Sequence, residues 1–188
     1  MNPPTTAQGD IFDSVAILTV YSLKSNGINP ELDVTKYTEK INAIIVATKA
    51  KIGEQNLNKA MAYLNHKEAI SKIVNICISK IQMILKDGKI DLNDTSYFID
   101  MIREIYQEVN TINQSDVTIS LSSETLIELC GFLIKTVLTY MISDEQALNS
   151  GIMITQSSIQ LIAFSMSKTT WTCAFKGFSC CQASPATK

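Results

Sequence analysis

Between His66 and Lys86 an apolar residue recurs at every third or fourth position, and that spacing leaves little choice of local structure. Ile70, Ile73, Val74, Cys77, Ile78, Ile81, Ile84 and Leu85 follow it, whereas Lys67, Lys72 and Lys80 fall on other faces. A helix completes a turn in about 3.6 residues, so the pattern draws one greasy stripe along a rod, while a strand would throw alternate residues to opposite sides. Such a rod is stable only when its stripe is covered, and the rest of the chain supplies further rods of the same kind.

The first is IFDSVAILTVYSLKS after Asp10, with Phe12, Val15, Ala16, Leu18, Thr19 and Leu23 close to a helical period and Asn26-Gly27 as its stop. After Asn29-Pro30, VTKYTEKINAIIVATKAKI sets Val34, Tyr37, Ile41, Ile44, Ile45 and Thr48 on one stripe, with Asp33 as cap and Gly53 at its end. A short helix through LNKAMAYLN precedes the long segment. Asp87-Gly88 closes that segment, and Asp91 or Asn93-Asp94 opens another helix with Tyr97, Phe98, Met101, Ile102, Ile105 and Val109 on its apolar face. A connector of about five to seven residues turns consecutive helices back on each other, so these two are expected to pack antiparallel. The polar stretch NTINQSDVTISLSS then separates this helix from the next, and its alternating Val117, Ile119 and Leu121 suit a short extended piece.

Ser122 or Ser123, with Glu124, starts a helix over 123–142 that is the most apolar of all, TLIELCGFLIKTVLTYMI. Its polar positions Glu124, Glu128, Lys135 and Thr139 make one narrow strip on a greasy cylinder, as expected of the central helix of a bundle. A membrane span is the rival reading. Two charges inside the segment, each costing about 2.5 to 3.5 kcal/mol near a bilayer centre, decide against it. A last helix over 150–168 carries Gln156, Ser157, Ser158 and Gln160 and is too polar to span. The expected fold class is therefore all-α, a multi-helix bundle of about five to seven helices. The expected organisation is an extended N-terminal arm over 1–10, a helical body over 11–168 and a cysteine- and aromatic-rich C-terminal tail over 169–188. In that tail Trp171, Phe175 and Phe178 interleave with small and polar residues without a period, so it can be ordered only by lying on this chain or on another.

Composition narrows the chemistry. The chain has 188 residues, enough for one domain with its own core, and is 46% apolar and 18% charged. Its net charge is −2 and Arg103 is the single arginine, so no cationic stripe for nucleic acid is expected. His66 is the one imidazole, at a helix start, where a solvated or capping role suits it better than acid–base catalysis. The seven glycines stand singly, as helix punctuation does, and build no phosphate loop. Asp87-Gly88-Lys89-Ile90-Asp91-Leu92-Asn93-Asp94 has the look of half a calcium loop, but aligning Gly88 with the invariant glycine puts Met83 and Leu85 at ligand positions. Gly88 as helix end, Ile90 or Leu92 as core plug and an acid as the next cap account for the same residues. Glu104 and Glu108 fall on the outer face of their helix as solvated charges. No catalytic, cofactor-binding or metal-ligating residue is assigned, and no enzyme is expected.

The first ten residues, MNPPTTAQGD, have no basic region and carry two prolines, unlike a signal or transit peptide, so a cytoplasmic start is expected. The sequons at Asn93 and Asn113 carry no meaning without secretion. Cys77 and Cys130 lie inside apolar helical stretches and read as small buried hydrophobes. Cys173, Cys180 and Cys181 crowd the tail, where adjacent Cys180 and Cys181 cannot bridge each other without strain.

The run Lys86-Asp-Gly-Lys-Ile-Asp, a long helix before it and an acid-capped apolar helix after it, resembles small helical minor capsid and virion structural proteins of nucleocytoplasmic large DNA viruses. The resemblance covers residues 70–109, and a composition of 26 Ile and 15 Lys against one Arg fits an AT-rich genome. It implies a noncatalytic structural protein, assembled in a host cytoplasm, that lies beneath or between capsomers and cements a shell through its helical body and tails. Its partners would be copies of itself or capsid shell proteins, with no nucleic acid and with membrane contact not favoured. The alternative is a soluble helical regulatory or host-interaction protein that receives a partner helix in a groove between helices. Because Cys173, Cys180 and Cys181 stand beside aromatic anchors, an intrachain or interchain disulfide is expected in an oxidised particle. A non-reducing gel showing only monomer, with three free tail thiols, would contradict it.

Overall fold

The computed structural model describes residues 11–28, 34–115 and 121–168, with side chains over 11–28, 37–111 and 121–165. Seven α-helices follow one another: α1 (Ile11–Ser25), α2 (Val34–Ile52), α3 (Glu54–Leu64), α4 (Lys67–Ile84), α5 (Thr95–Ser115), α6 (Ser123–Met141) and α7 (Glu145–Lys168). Single turns of 3-10 helix, Leu85–Asp87 and Leu92–Asp94, lie between α4 and α5. No strand occurs among the described residues. The fold is all-α, a multi-helix bundle.

The stops are made by backbone chemistry that the sequence announces. At the end of α1, Gly27 takes φ +74°, its N–H donates to Lys24 O at 3.0 Å, and Ile28 N–H reaches back to Leu23 O at 3.0 Å. That pair of bonds satisfies carbonyls which a helix end otherwise leaves bare, and it needs a residue without a Cβ at the turn. Gly88 closes the turn Leu85–Asp87 after α4 with φ +79°, its N–H donating to Leu85 O at 3.0 Å, while Lys89 N–H donates to Asp87 Oδ1 at 3.2 Å. Past it, Asp91 and Asp94 cap each other. Asn93 N–H donates to Asp91 Oδ1 at 2.8 Å, and Asp91 N–H donates to Asp94 Oδ2 at 2.9 Å. Of the two residues suited to plug the core here, Ile90 is buried and Leu92 is exposed. The turn sends α5 back along α4, and the ion pairs Lys72–Glu108 at 2.7 Å and Lys80–Glu104 at 2.8 Å show the antiparallel register. Glu104 and Glu108 are thus bound across the helix pair rather than simply solvated.

Helix α6 lies in the middle. It packs against each of the other six helices, and α2, α3, α1, α4, α5 and α7 follow one another around it. From Thr125 to Thr139 every residue except Glu128 is buried. The rings of Phe12 and Phe132 meet edge to face at 5.0 Å and fasten α1 to α6, while Tyr37 stacks on Tyr140 at 5.6 Å and fastens α2. On the opposite flank α7 comes in close: a methyl group at Gly131 would run into Cδ1 of Ile159. One core runs from Phe12 in α1 to Ile159 in α7.

Three boundaries differ from the expectation. Helix α3 begins at Glu54, directly after Gly53, because that glycine alone breaks the chain between α2 and α3. The first two residues of the stretch expected to be a connector after Val109, together with the four that follow, are helical to Ser115; nothing in Asn110–Ser115 is Gly or Pro, and the Thr111 hydroxyl donates back to Gln107 O at 2.9 Å. Of the expected extended piece, Leu121 is buried outside any helix, and Val117 and Ile119 lie outside the described residues. Helix α7 begins at Glu145 rather than Ser150, capped by Asp144, whose Oδ1 accepts from Ala147 N–H at 2.7 Å. Gly151 is an interior residue of that helix, in contact distance of Leu138.

Leu129 and Leu133 are fully buried in α6, so truncating either to Ala should lower unfolding free energy by about 2 to 5 kcal/mol. Urea denaturation of Leu133→Ala with an unchanged midpoint would remove α6 from the centre.

Candidate functional site

The narrow polar strip foreseen on α6 runs from solvent into the core. Glu124 is exposed, Glu128 is half-buried and pairs with Lys51 of α2 at 3.2 Å, Lys135 is only 8% exposed, and Thr139 is fully buried. Thr139 is accommodated because its hydroxyl donates to Lys135 O at 2.8 Å, one helical turn back. Lys135 is held below the ordinary lysine range chiefly by burial, with the Lys51 charge adding to the effect and Glu128 opposing it.

The other buried reactive groups are isolated from solvent. Cys77 and Cys130 are fully buried free thiols, as small hydrophobes would be, and burial pushes both well above the usual thiol range. The hydroxyl of Tyr63 is buried without a hydrogen-bond partner, and desolvation likewise raises its pKa. His66 occupies the N-cap position of α4 without a side-chain cap bond, its ring 6.3 Å from that of Tyr63. Among the described residues no three His, Cys, Asp or Glu side chains gather as a metal site would require, and no helix is long and apolar enough to cross a membrane.

What remains is the surface. A recess of about 560 Å³ beside the α4–α5 seam is lined by Glu68, Ser71, Lys72, Ser79, Lys80 and Glu104. Its two lysines are engaged in the ion pairs to α5. A second, of about 330 Å³, is apolar and lies where α1 passes the α3–α4 turn, between Ile17, Leu18, Tyr21 and Leu64. A third, of about 360 Å³, lies where α2, α6 and α7 meet and includes Lys51, Glu128 and Ile159.

Large apolar side chains are also turned outward. On α1, Ile17 is 70% and Tyr21 75% exposed; on α7, Met153, Leu161 and Phe164 are exposed. The inward stripes do not include these residues. The signal was present: once Phe12, Val15, Thr19 and Leu23 are assigned to the core side of α1, Ile17 and Tyr21 are left over on the other. The residues singled out from the sequence, Trp171, Cys173, Phe175, Phe178, Cys180 and Cys181, lie outside the described residues. Comparison of the chain with protein-family models, with curated proteins and with solved structures finds no match.

Lys135 gives this region a pH signature. Its folded pKa is depressed, so the unfolded chain holds that proton more tightly, and its contribution to stability rises with pH until the unfolded value near 10.4 is passed. Lys135→Met is expected to stabilise the protein at about pH 7 by on the order of 1 kcal/mol or less, and to remove the part of the wild-type rise, from neutral pH up toward the unfolded value, that this residue causes. Melting midpoints of the two proteins across that range check it; a variant less stable at neutral pH would show the ammonium to be a net stabiliser.

Proposed function

We propose that this chain is a noncatalytic structural protein, a minor capsid or virion component that cements a shell through its helical body and its terminal segments. The observation that carries the reading is the direction of its surplus apolar side chains. The core is filled from α1 to α7, yet Ile17 and Tyr21 on α1 and Met153 and Leu161 on α7 are exposed, as are Val46, Met83, Leu92 and Tyr97 elsewhere. Apolar side chains grouped on an outer helix face are what a protein docking on other proteins exposes. The thiols of Cys77 and Cys130 and the hydroxyl of Tyr63 are buried away from solvent.

The segments beyond the body supply the rest of this reading. Residues 169–188 hold Trp171, Phe175 and Phe178, anchors of the kind that dominate protein interfaces, and the chain places no acidic residue among them. A segment that orders on a neighbour gains contact area at the cost of its chain entropy. The groove-binding alternative draws on one observation, the apolar recess beside α1. The two readings separate at the tail, because a groove binder does not need it.

Sedimentation of the full chain with the shell particles of its source tests the proposal. Wild-type protein should pellet with the particles, and W171A/F175A/F178A should stay in the supernatant while melting at the same temperature. Equal pelleting of the two would deny the tail its role and favour the groove.

A further inference from the structure

From the outer face of α1 we infer that two copies of this chain pair through it, α1 against α1, antiparallel. This helix has 15 residues and turns Phe12, Val15, Thr19, Ser22 and Leu23 into the core. On its other side Asp13, Ser14, Ile17, Tyr21 and Lys24 are all exposed. At about 100° per residue these five cover little more than a quarter of the circumference, so they form one stripe. Ile17 and Tyr21 occupy its middle, and the charges stand at its two ends with opposite sign.

That order makes the stripe complementary to itself only when reversed. In a parallel pair Asp13 would face Asp13 of the other copy and Lys24 would face Lys24. In an antiparallel pair centred between Ile17 and Tyr21, each Ile17 meets the Tyr21 of the other copy, and each Lys24 arrives within a residue of the other Asp13. This is the isologous arrangement of a two-fold dimer, in which one patch serves both subunits. The apolar recess of about 330 Å³ flanks the stripe, between Ile17, Leu18, Tyr21, Leu64 and Lys67, and offers the side chains of the facing helix a place to enter.

Other occupants fit less well. The ten residues before Ile11, MNPPTTAQGD, hold no large apolar side chain except Met1. The segment after Lys168, residues 169–188, carries no acidic side chain to meet Lys24, whereas a second copy brings Asp13. One pair of helices about 22 Å long falls at the small end of specific interfaces, below about 1,200 Å² in total, so the dimer forms reversibly with concentration. That suits a chain held at high local density on a shell, where weak contacts act together. The pairing deepens the structural reading by naming one partner.

Sedimentation equilibrium of the full chain, from about 1 to about 300 μM, should show a monomer–dimer equilibrium. Ile17→Glu and Tyr21→Glu each substitute an exposed position, so the fold, followed by circular dichroism, should hold, while dimerisation weakens at least tenfold, about 1.4 kcal/mol. D13K and K24D should each weaken it, since either substitution puts like charges together at both ends. Their equimolar mixture should dimerise more tightly than either alone, because opposite charges then meet across the pair. A chain monomeric over the whole range overturns the proposal, as does a dimer indifferent to Ile17→Glu or a mixture no tighter than its components. Dimerisation that appears only after removal of residues 169–188 would give the face to the chain's own tail and overturn it too. None of these failures touches the pelleting of W171A/F175A/F178A, on which the structural reading stands or falls.

Discussion

The body of this protein depends on the burial of one helix on every side. A helix with one apolar stripe needs one neighbour, but α6 is apolar nearly all round, and only a complete sheath of other helices removes it from water. The two interruptions that argue against a membrane, Glu128 and Lys135, are handled within that sheath. Glu128 reaches Lys51 at the edge, and Lys135 stays where its charge is disfavoured by burial. The sheath helices can then be ordinary amphipathic rods, each contributing an inner face. This explains why α4 and α5 carry their charges outward and join them across the seam, whereas α6 has almost no outer face to carry any.

Dense packing around α6 also decides what its polar residues do. Threonines 19, 139 and 155 are fully buried, and each hydroxyl donates to the carbonyl four residues earlier, at 2.7 to 2.9 Å, so the helix itself satisfies them. The hydroxyls of Tyr63, Thr136 and Ser158 are buried without such a partner. An unpaired buried hydroxyl costs about 1 to 3 kcal/mol, so these three sites weaken the body and are where removal of an oxygen would do least harm.

Much of this architecture was written in the spacing of side chains. The recurrence of Ile70, Ile73, Cys77, Ile81 and Ile84 specified α4, and Gly27, Gly53 and Gly88 marked the ends of α1, α2 and the α4 segment because each sits at a positive φ that other residues avoid. Where local signals conflicted, tertiary contact decided. The last helix was expected from Ser150, yet the acid cap at Asp144 sets its start five residues earlier, and Leu138 of α6 packs against Gly151 inside it. The burial of Lys135 was hidden for a related reason: a lysine on an apolar helix reads as surface until the helix in front of it, α2, is placed. The outward Ile17 and Tyr21 were left off the α1 stripe for the opposite reason: a pattern search for the buried face gives no weight to the apolar residues it leaves over.

The outward apolar side chains of α1 and those of α7 do not adjoin. Helix α1 belongs to the flank with α3 and α4, and α7 to the flank with α5, so the packed middle of the bundle separates Ile17 and Tyr21 from Met153, Leu161 and Phe164. A two-fold pairing through α1 uses one face of each subunit and closes on itself, leaving both copies of the α7 face pointing elsewhere. A pair of such subunits therefore offers two further contact surfaces held at a fixed separation by rigid helices, each continuous with the chain that follows Lys168. The sheath around α6 keeps the apolar faces of α1 and α7 on different flanks, so the two point in different directions.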